Sequence, residues 1–387
     1  MEGLVTSGET LSQSENQLSL RACLYREKVL GVALLSAAIA FLFHDALFAD
    51  LSNPFKLICV LAWLFLVILA TAIGVVRHAE ALSERLGEPF GTIVLTLSIT
   101  GIEVMSITAV MLHGDNNPAL VRDTLFSVVM IILGGMVGMA LLLGAFRHKE
   151  LAFNLQSANA YLGVIIPLAV FSLVLPDFTS SSEGPTLNGF QKTMVGLIAA
   201  CLYIIFLLIQ TGRHRTFFAL PQSEGKATEE EEEAGSPYPI GVSLLLLVCY
   251  ILPVVFLVEQ LARPIDYIIE TLEMPTTIGG VLMAILVTTP EGIGGVKAAL
   301  ANRLQQSVNI FLGSVLATIG LTVPIMLLIS SVLGLDLILG LGQLDLMMLI
   351  LIFTVSIVTF SSGRTHVLQG AVHFLIFVAF LMLLYRG

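Results

Sequence analysis

Long apolar runs alternate with short polar breaks along almost the whole chain. Eleven runs stand out, at roughly 29–49, 56–76, 90–112, 122–145, 158–175, 190–210, 240–261, 275–299, 304–331, 343–361 and 366–385. A run of about 20 apolar residues is long enough to cross a bilayer as a helix. Only helices and closed barrels satisfy every backbone group in lipid, and runs this long suit helices. The pattern therefore predicts an all-α polytopic membrane protein with about 11 transmembrane helices. Pro167, Pro253, Pro290 and Pro324 fall inside runs and predict kinks or breaks.

One stretch breaks the rhythm. Thr211 to Pro239 is polar and holds five consecutive glutamates, Glu229 to Glu233. Its composition predicts a solvated linker rather than packed structure. It leaves one extra helix plus five before it and five after it. Five is odd, so the second set enters the membrane from the side opposite to the first. Two inverted five-helix repeats are the expected result. The expected divisions are an N-terminal tail (1–27), an extra N-terminal helix (28–50), a first repeat (51–211), an acidic linker (212–239) and a second repeat (240–387).

Composition agrees. The chain is 56% hydrophobic and 12% charged, with a mean hydropathy of +0.95. A water-soluble protein this apolar could not cover its surface with polar groups. The net charge of −10 is partly local to the glutamate run, so it says little about partners, and no nucleic acid is expected among them. With the N-terminus inside, all but five of the 18 Lys and Arg residues fall on the inner side. The five are Lys56, Arg122, Lys192, Arg263 and Arg386. This bias predicts a cytoplasmic N-terminus and an external C-terminus. Residues 1–27 lack a basic segment leading into a cleavable core, so no signal peptide is expected. The four cysteines are far apart and form no metal or redox pattern.

Two glutamates sit deep in apolar runs, and they share a frame. Gly91, Thr100 and Glu103 match Gly279, Thr288 and Glu291, 188 residues on. A carboxylate near a bilayer centre costs roughly 2.5 kcal/mol or more and marks an ion or proton pathway. Thr100 with Glu103, and Thr288 with Glu291, are three apart and share a helix face. Gly101, Pro290 and Gly292 are expected to loosen the helices there and expose carbonyls. Carboxylate, hydroxyl and carbonyl oxygens are the ligands of hard cations. A plain packing role for both glutamates is the alternative. After Glu291, the run Gln305, Gln306, Asn309, Gly313, Ser314 and Thr318 forms a polar, small face. Asn309 and Ser314 are its candidate site residues. The counterpart after Glu103 offers Asp123 and Ser127, with Arg122 and Asp123 read as an interfacial ion pair. His78 and Glu80 are candidates for proton relay or pH sensing at the inner mouth, with a solvated loop as the plainer reading. His373 reads as a hydrogen-bonded helix contact, and Arg364 as a topology anchor. No HExxH, P-loop or GxSxG motif is present, so an enzyme is not expected.

At these residues the chain resembles the calcium/cation antiporter superfamily in its calcium/proton exchanger branch. In particular it is similar to bacterial Cha-type sodium, potassium and calcium/proton antiporters. The stretches that carry the likeness are His78-Ala79-Glu80, Leu86-Gly87-Glu88-Pro89-Phe90-Gly91, Ile102-Glu103-Val104 and Arg122-Asp123-Thr124-Leu125. They continue in Pro290-Glu291-Gly292, Gly313 to Thr318 and Gly363-Arg364-Thr365. The resemblance implies that Glu103 and Glu291 bind the cation and carry protons. It implies Ca²⁺, Na⁺, K⁺ and H⁺ as transported ions, no cofactor, and a bacterial plasma (inner) membrane. The asparagine that calcium/proton exchangers carry beside each glutamate is absent, with Thr100-Gly101-Ile102 and Thr289-Pro290 there instead. A cation channel is the other class these carboxylates could serve.

Overall fold

The computed structural model describes residues 26–87, 90–112, 117–179, 184–213, 215–218 and 238–384. Glu88 and Pro89, most of the N-terminal tail, and the glutamate run of the linker lie outside the described residues.

Eleven apolar helices follow one another: α1 (Lys28–Leu42), α2 (Pro54–Leu86), α3 (Phe90–Met111), α4 (Leu120–His148), α5 (Leu155–Phe178), α6 (Gly189–Gly212), α7 (Ile240–Thr271), α8 (Thr277–Leu300), α9 (Leu304–Leu333), α10 (Gln343–Phe360) and α11 (Val367–Leu384). The last ten are long and apolar enough to span a bilayer, and α1 is a shorter apolar helix. The first predicted span, 29–49, is in fact interrupted at Phe43 and resumes as one turn, His44–Phe48. Two helices outrun their predictions. α2 continues ten residues beyond 76, because its last three turns bury His78, Ala79 and Leu82 against neighbours. α7 likewise runs on to Thr271 rather than 261.

The two five-helix sets run in opposite senses. The Arg85 guanidinium, near the end of α2, donates to the carbonyl of Tyr238, just before α7. At the opposite end, Arg263 near the end of α7 stacks over Phe48, just before α2. α2 and α7 therefore lie antiparallel. They touch closely where Gly74 faces Tyr250, since a Cβ on Gly74 would sit 2.3 Å from that ring. The end that carries Phe218 and Tyr238 is called here the linker end, and the other the far end.

Loops join like ends. At the linker end, β1 (Leu151–Ala152) pairs antiparallel with β2 (Arg364–Thr365), tying the α4–α5 turn to the α10–α11 turn. Arg364 also lies 3.8 Å from Glu150, an exposed pair. At the far end, the extended segment 335–342 crosses between helices. Ile338 donates to the Pro118 carbonyl (2.9 Å) and Leu341 to the Leu173 carbonyl (3.0 Å). Leu337, Leu339 and Leu341 alternate inward and are buried.

Wide π-type turns interrupt several helices, and two fall at equivalent places. One starts at Met130 in α4 and the other at Thr318 in α9. The interval, 318 − 130 = 188, is the one that separates the two glutamates. Such turns inside α-helices recur at functional sites. The break expected at Pro253 is absent, α7 running through it as helix, while those expected near Pro167 and Pro324 are present, as π-type turns at Val170–Val174 and Thr318–Thr322. The loosening expected at Gly101, Pro290 and Gly292 is not. α3 and α8 run through these residues as continuous helix, since a buried membrane helix absorbs one missing N–H without breaking. The distortion sits instead on α4 and α9.

Candidate functional site

Glu103 and Glu291 line one cavity of about 290 Å³. It begins at the two carboxylates and Thr318 and passes Thr100, Tyr161, Gln210 and Gln306 to Glu80, towards the linker end. Six helices wall it: α2, α3, α5, α6, α8 and α9. The half of the bundle around α4, α8 and α11 is packed tight: a Cβ on Gly138 would lie 2.6 Å from the backbone of Phe374.

α9 holds both glutamates. Ser314 donates to Glu291 Oε1 at 3.5 Å, and Thr318 to Glu103 Oε2 at 3.2 Å. These two hydroxyls are four apart on one helix face, which is why a single helix serves both. The other oxygen of each carboxylate, Glu103 Oε1 and Glu291 Oε2, is buried without a protein partner. Two buried carboxylates with free oxygens are costly in lipid unless a cation or a proton neutralises them. Among the described residues no group of three or more His, Cys, Asp or Glu side chains forms a metal cluster. A cation in this cavity would therefore meet two carboxylates, hydroxyls and carbonyls.

The predicted residues divide into those that line the cavity and those that do not. Glu103, Glu291, Thr100, Ser314 and Glu80 all do. Thr288 does not: its hydroxyl donates back to the Ala284 carbonyl at 2.7 Å, and Thr289 does the same to Ile285 at 2.5 Å. A helical threonine has this carbonyl within reach four residues back, and burial leaves it no better acceptor. Asn309 lines the cavity, but its amide is engaged by protein. Nδ2 donates to the Phe218 carbonyl (2.7 Å) and Oδ1 accepts from Gln305 Nε2 (2.8 Å). It anchors the chain entering the linker. His78 is not in a solvated loop. It is buried in α2, 3.2 Å from the Glu27 carboxylate, beside the cavity rather than in it. His373 is a helix contact as expected, meeting Leu133 O at 2.6 Å and Thr359 at 3.0 Å. Arg122 pairs with Asp123 at 2.8 Å, also as expected.

Sequence reasoning missed Tyr161, whose hydroxyl accepts from Gln210 Nε2 at 2.9 Å on the cavity wall. Neither residue carries a signal in the sequence, because each falls in an otherwise ordinary apolar span. Thr318 was legible as the continuation of the Ser314 face, though not as a partner of Glu103.

Inverted five-helix repeats around a pair of buried glutamates, with a cavity reaching one end, define a membrane ion transporter of the two-repeat kind. The chain belongs to the sodium/calcium exchanger protein family, whose model matches residues 56–212 and 242–386. It is 44% identical over 309 residues to a putative ionic transporter, y4hA, of Sinorhizobium fredii, covering 80% of this chain and 83% of that one. It is 38% identical over 320 residues to the sodium-potassium/proton antiporter ChaA of Escherichia coli, covering 82% and 86%. Among solved structures, that of native YfkE superposes with a TM-score of 0.72 at 17% identity, covering 93% of this chain and 99% of that one. That of the H⁺/Ca²⁺ exchanger CAX superposes with a TM-score of 0.63 at 12% identity, covering 92% and 88%.

Proposed function

We propose that this protein is a secondary active antiporter exchanging cytoplasmic Ca²⁺, Na⁺ or K⁺ for protons by alternating access. The linker end then faces the cytoplasm of a bacterial inner membrane, as the Lys and Arg distribution favours. The observation that supports the reading best is the one cavity that both repeat glutamates share. An empty pair of carboxylates carries two negative charges, and either cations or protons can neutralise it. That competition couples the two fluxes. A channel needs a path open at both ends, whereas this cavity runs from the glutamates to one end.

In this reading Glu103 and Glu291 bind cation and proton, Ser314 and Thr318 orient them, and Thr100 completes the wall. Glu80 stands at the mouth, where it draws cations in. The side chains leave calcium short of its six to eight oxygens unless water fills in. Water adapts to several cations, so discrimination is relaxed. The test is proton movement in everted vesicles with a pH dye, adding sodium, potassium and calcium salts in turn. Calcium and sodium are expected to compete for one site. Glu103→Gln and Glu291→Gln are each expected to abolish exchange while still inserting. Near-normal exchange in either variant would overturn the site.

A further inference from the structure

The π-type turn at Met130–Met136 in α4 is held between α11 and α8. On the α11 side the contact is made by glycines: a Cβ on Gly134 or Gly135 would lie 3.1 Å from Phe377. On the α8 side Met136 presses on Gly292, where a Cβ would lie 2.7 Å from the Met136 Cε. The three atoms nearest to that position all belong to Met136. Gly292 directly follows Glu291.

The wide turn frees a backbone acceptor. In an α-helix the Val137 N–H would go to the Leu133 carbonyl, four residues back. Here it goes to Ile132 and Gly134 instead. The Leu133 carbonyl meets the His373 ring of α11, with Nδ1 at 2.6 Å. A carbonyl only accepts, so Nδ1 carries the proton and donates. The Nε2 of the neutral ring then accepts from the Thr359 hydroxyl of α10 at 3.0 Å. His373 is fully buried. A histidine that merely satisfied itself could do so on any two partners. This one serves the carbonyl that the distortion deprives of its helical donor, and so supports the distorted turn.

The other repeat shows what such a turn can do. The equivalent turn on α9 starts at Thr318, whose hydroxyl holds Glu103 directly. The α4 turn starts at Met130 (318 − 188 = 130), which has no hydroxyl to offer Glu291. It reaches Glu291 only through the backbone, by Met136 on Gly292. Ser314 meets Glu291 at 3.5 Å, the outer limit of a hydrogen bond, so a small shift of α8 would break it.

We propose that His373 is a positioning residue for the cation site: by holding the α4 turn through the Leu133 carbonyl it keeps Met136 against Gly292, and so keeps the Glu291 carboxylate where the transported cation meets it. The proposal rests on the exchange reading above and adds a residue that lies outside the cavity.

The test compares two amides at position 373. An asparagine places its N–H groups near Nδ1 and can keep the bond to Leu133, whereas a glutamine places them near Nε2 and cannot. Exchange is measured in everted vesicles with a pH dye over a range of calcium chloride concentrations. His373→Gln is expected to raise half-saturating calcium about fivefold, the worth of one hydrogen bond, with the maximal rate nearly kept. His373→Asn is expected to stay near wild type. Unchanged half-saturation in folded His373→Gln overturns the proposal, and so does an equal loss with both amides, which assigns the ring to packing alone. Met136→Ala cuts the brace with His373 intact. It should raise half-saturation by itself, and His373→Gln added to it should raise it little further. Unchanged half-saturation in Met136→Ala, or two losses that multiply, overturns the proposal as well. Calcium binding is read in parallel in detergent, as the calcium chloride concentration that half-shifts thermal unfolding. Failure of the exchange reading would show separately, as calcium binding that His373→Gln weakens while wild-type vesicles show no cation-driven proton movement.

Discussion

Ser314 and Thr318 set how each glutamate presents its charge. One oxygen of each carboxylate is fixed by a hydroxyl from α9, and the other stays available. A fixed rotamer lowers the ordering entropy that a cation would otherwise have to overcome. Thr318→Val removes the hydroxyl at nearly constant shape. Losing one hydrogen bond of about 1 kcal/mol should lower apparent cation affinity roughly fivefold. Half-saturation of the dye signal measures this, and an unchanged half-saturation would assign Thr318 to packing alone. The glutamates themselves were legible in the sequence because charge in an apolar run is rare and the frame repeats. The fate of the threonines was not. Thr100 and Thr288 occupy matching frames, yet Thr288 turns back to its own helix while Thr100 faces the cavity. Both outcomes suit the same sequence pattern, and only the neighbours in space decide. The same holds for Asn309, whose partners Phe218 and Gln305 are invisible to spacing rules.

Among the helices, α1 is tied to α2 and α7 by a polar cluster at its start. Its first turn is preceded by Glu27, whose carboxylate takes Tyr250 from α7 at 2.7 Å and Arg77 and His78 from α2. Burial alone would raise the Glu27 carboxyl. The Tyr250 hydrogen bond, the Arg77 charge and the His78 hydrogen bond outweigh it and hold the group below its usual range. A depressed carboxyl stabilises the docked helix above its ordinary pKa and loses that contribution as pH falls through the lower, docked value. Docking of α1 should therefore be at full strength near neutrality and weaken below about pH 4. Glu27→Gln should lower stability at pH 7 by on the order of 1–2 kcal/mol. Arg77 is 44% exposed, so solvent screens its share. Thermal unfolding in detergent at pH 7 and pH 4 checks this: wild type should approach the variant only at the lower pH. Apolar runs reveal such helices well, and eleven were found in order. Run length is a poorer guide to where they stop. The tail of α2 is polar in composition yet buries His78, Ala79 and Leu82, with Glu27, Tyr238 and Tyr250 packed about His78. The π-type turns at Met130 and Thr318 left no trace in composition, since they arise from packing.

At the scale of the whole molecule, the repeat architecture was readable from one odd count and one polar stretch. The asymmetry between the two ends was not, because the two repeats have similar patterns while the cavity at the glutamates runs towards the linker end. What joins the halves is also hidden in the sequence. They interlock through α2 on α7, α4 on α8 and α11, and the β1–β2 pairing at the linker end. That interlocking has a consequence for the connection between them. Every contact just named is non-covalent and independent of residues 219–237. Two separate polypeptides, one ending after Phe218 and one starting at Tyr238, should find each other when co-expressed in one membrane and copurify through a tag on either. Exchange should return with them, while each fragment alone is inactive. Failure of the fragments to associate would mean that the continuous chain is needed for assembly. Success would make this transporter a natural heterodimer in waiting, in which each half could be varied, labelled or evolved as an independent partner.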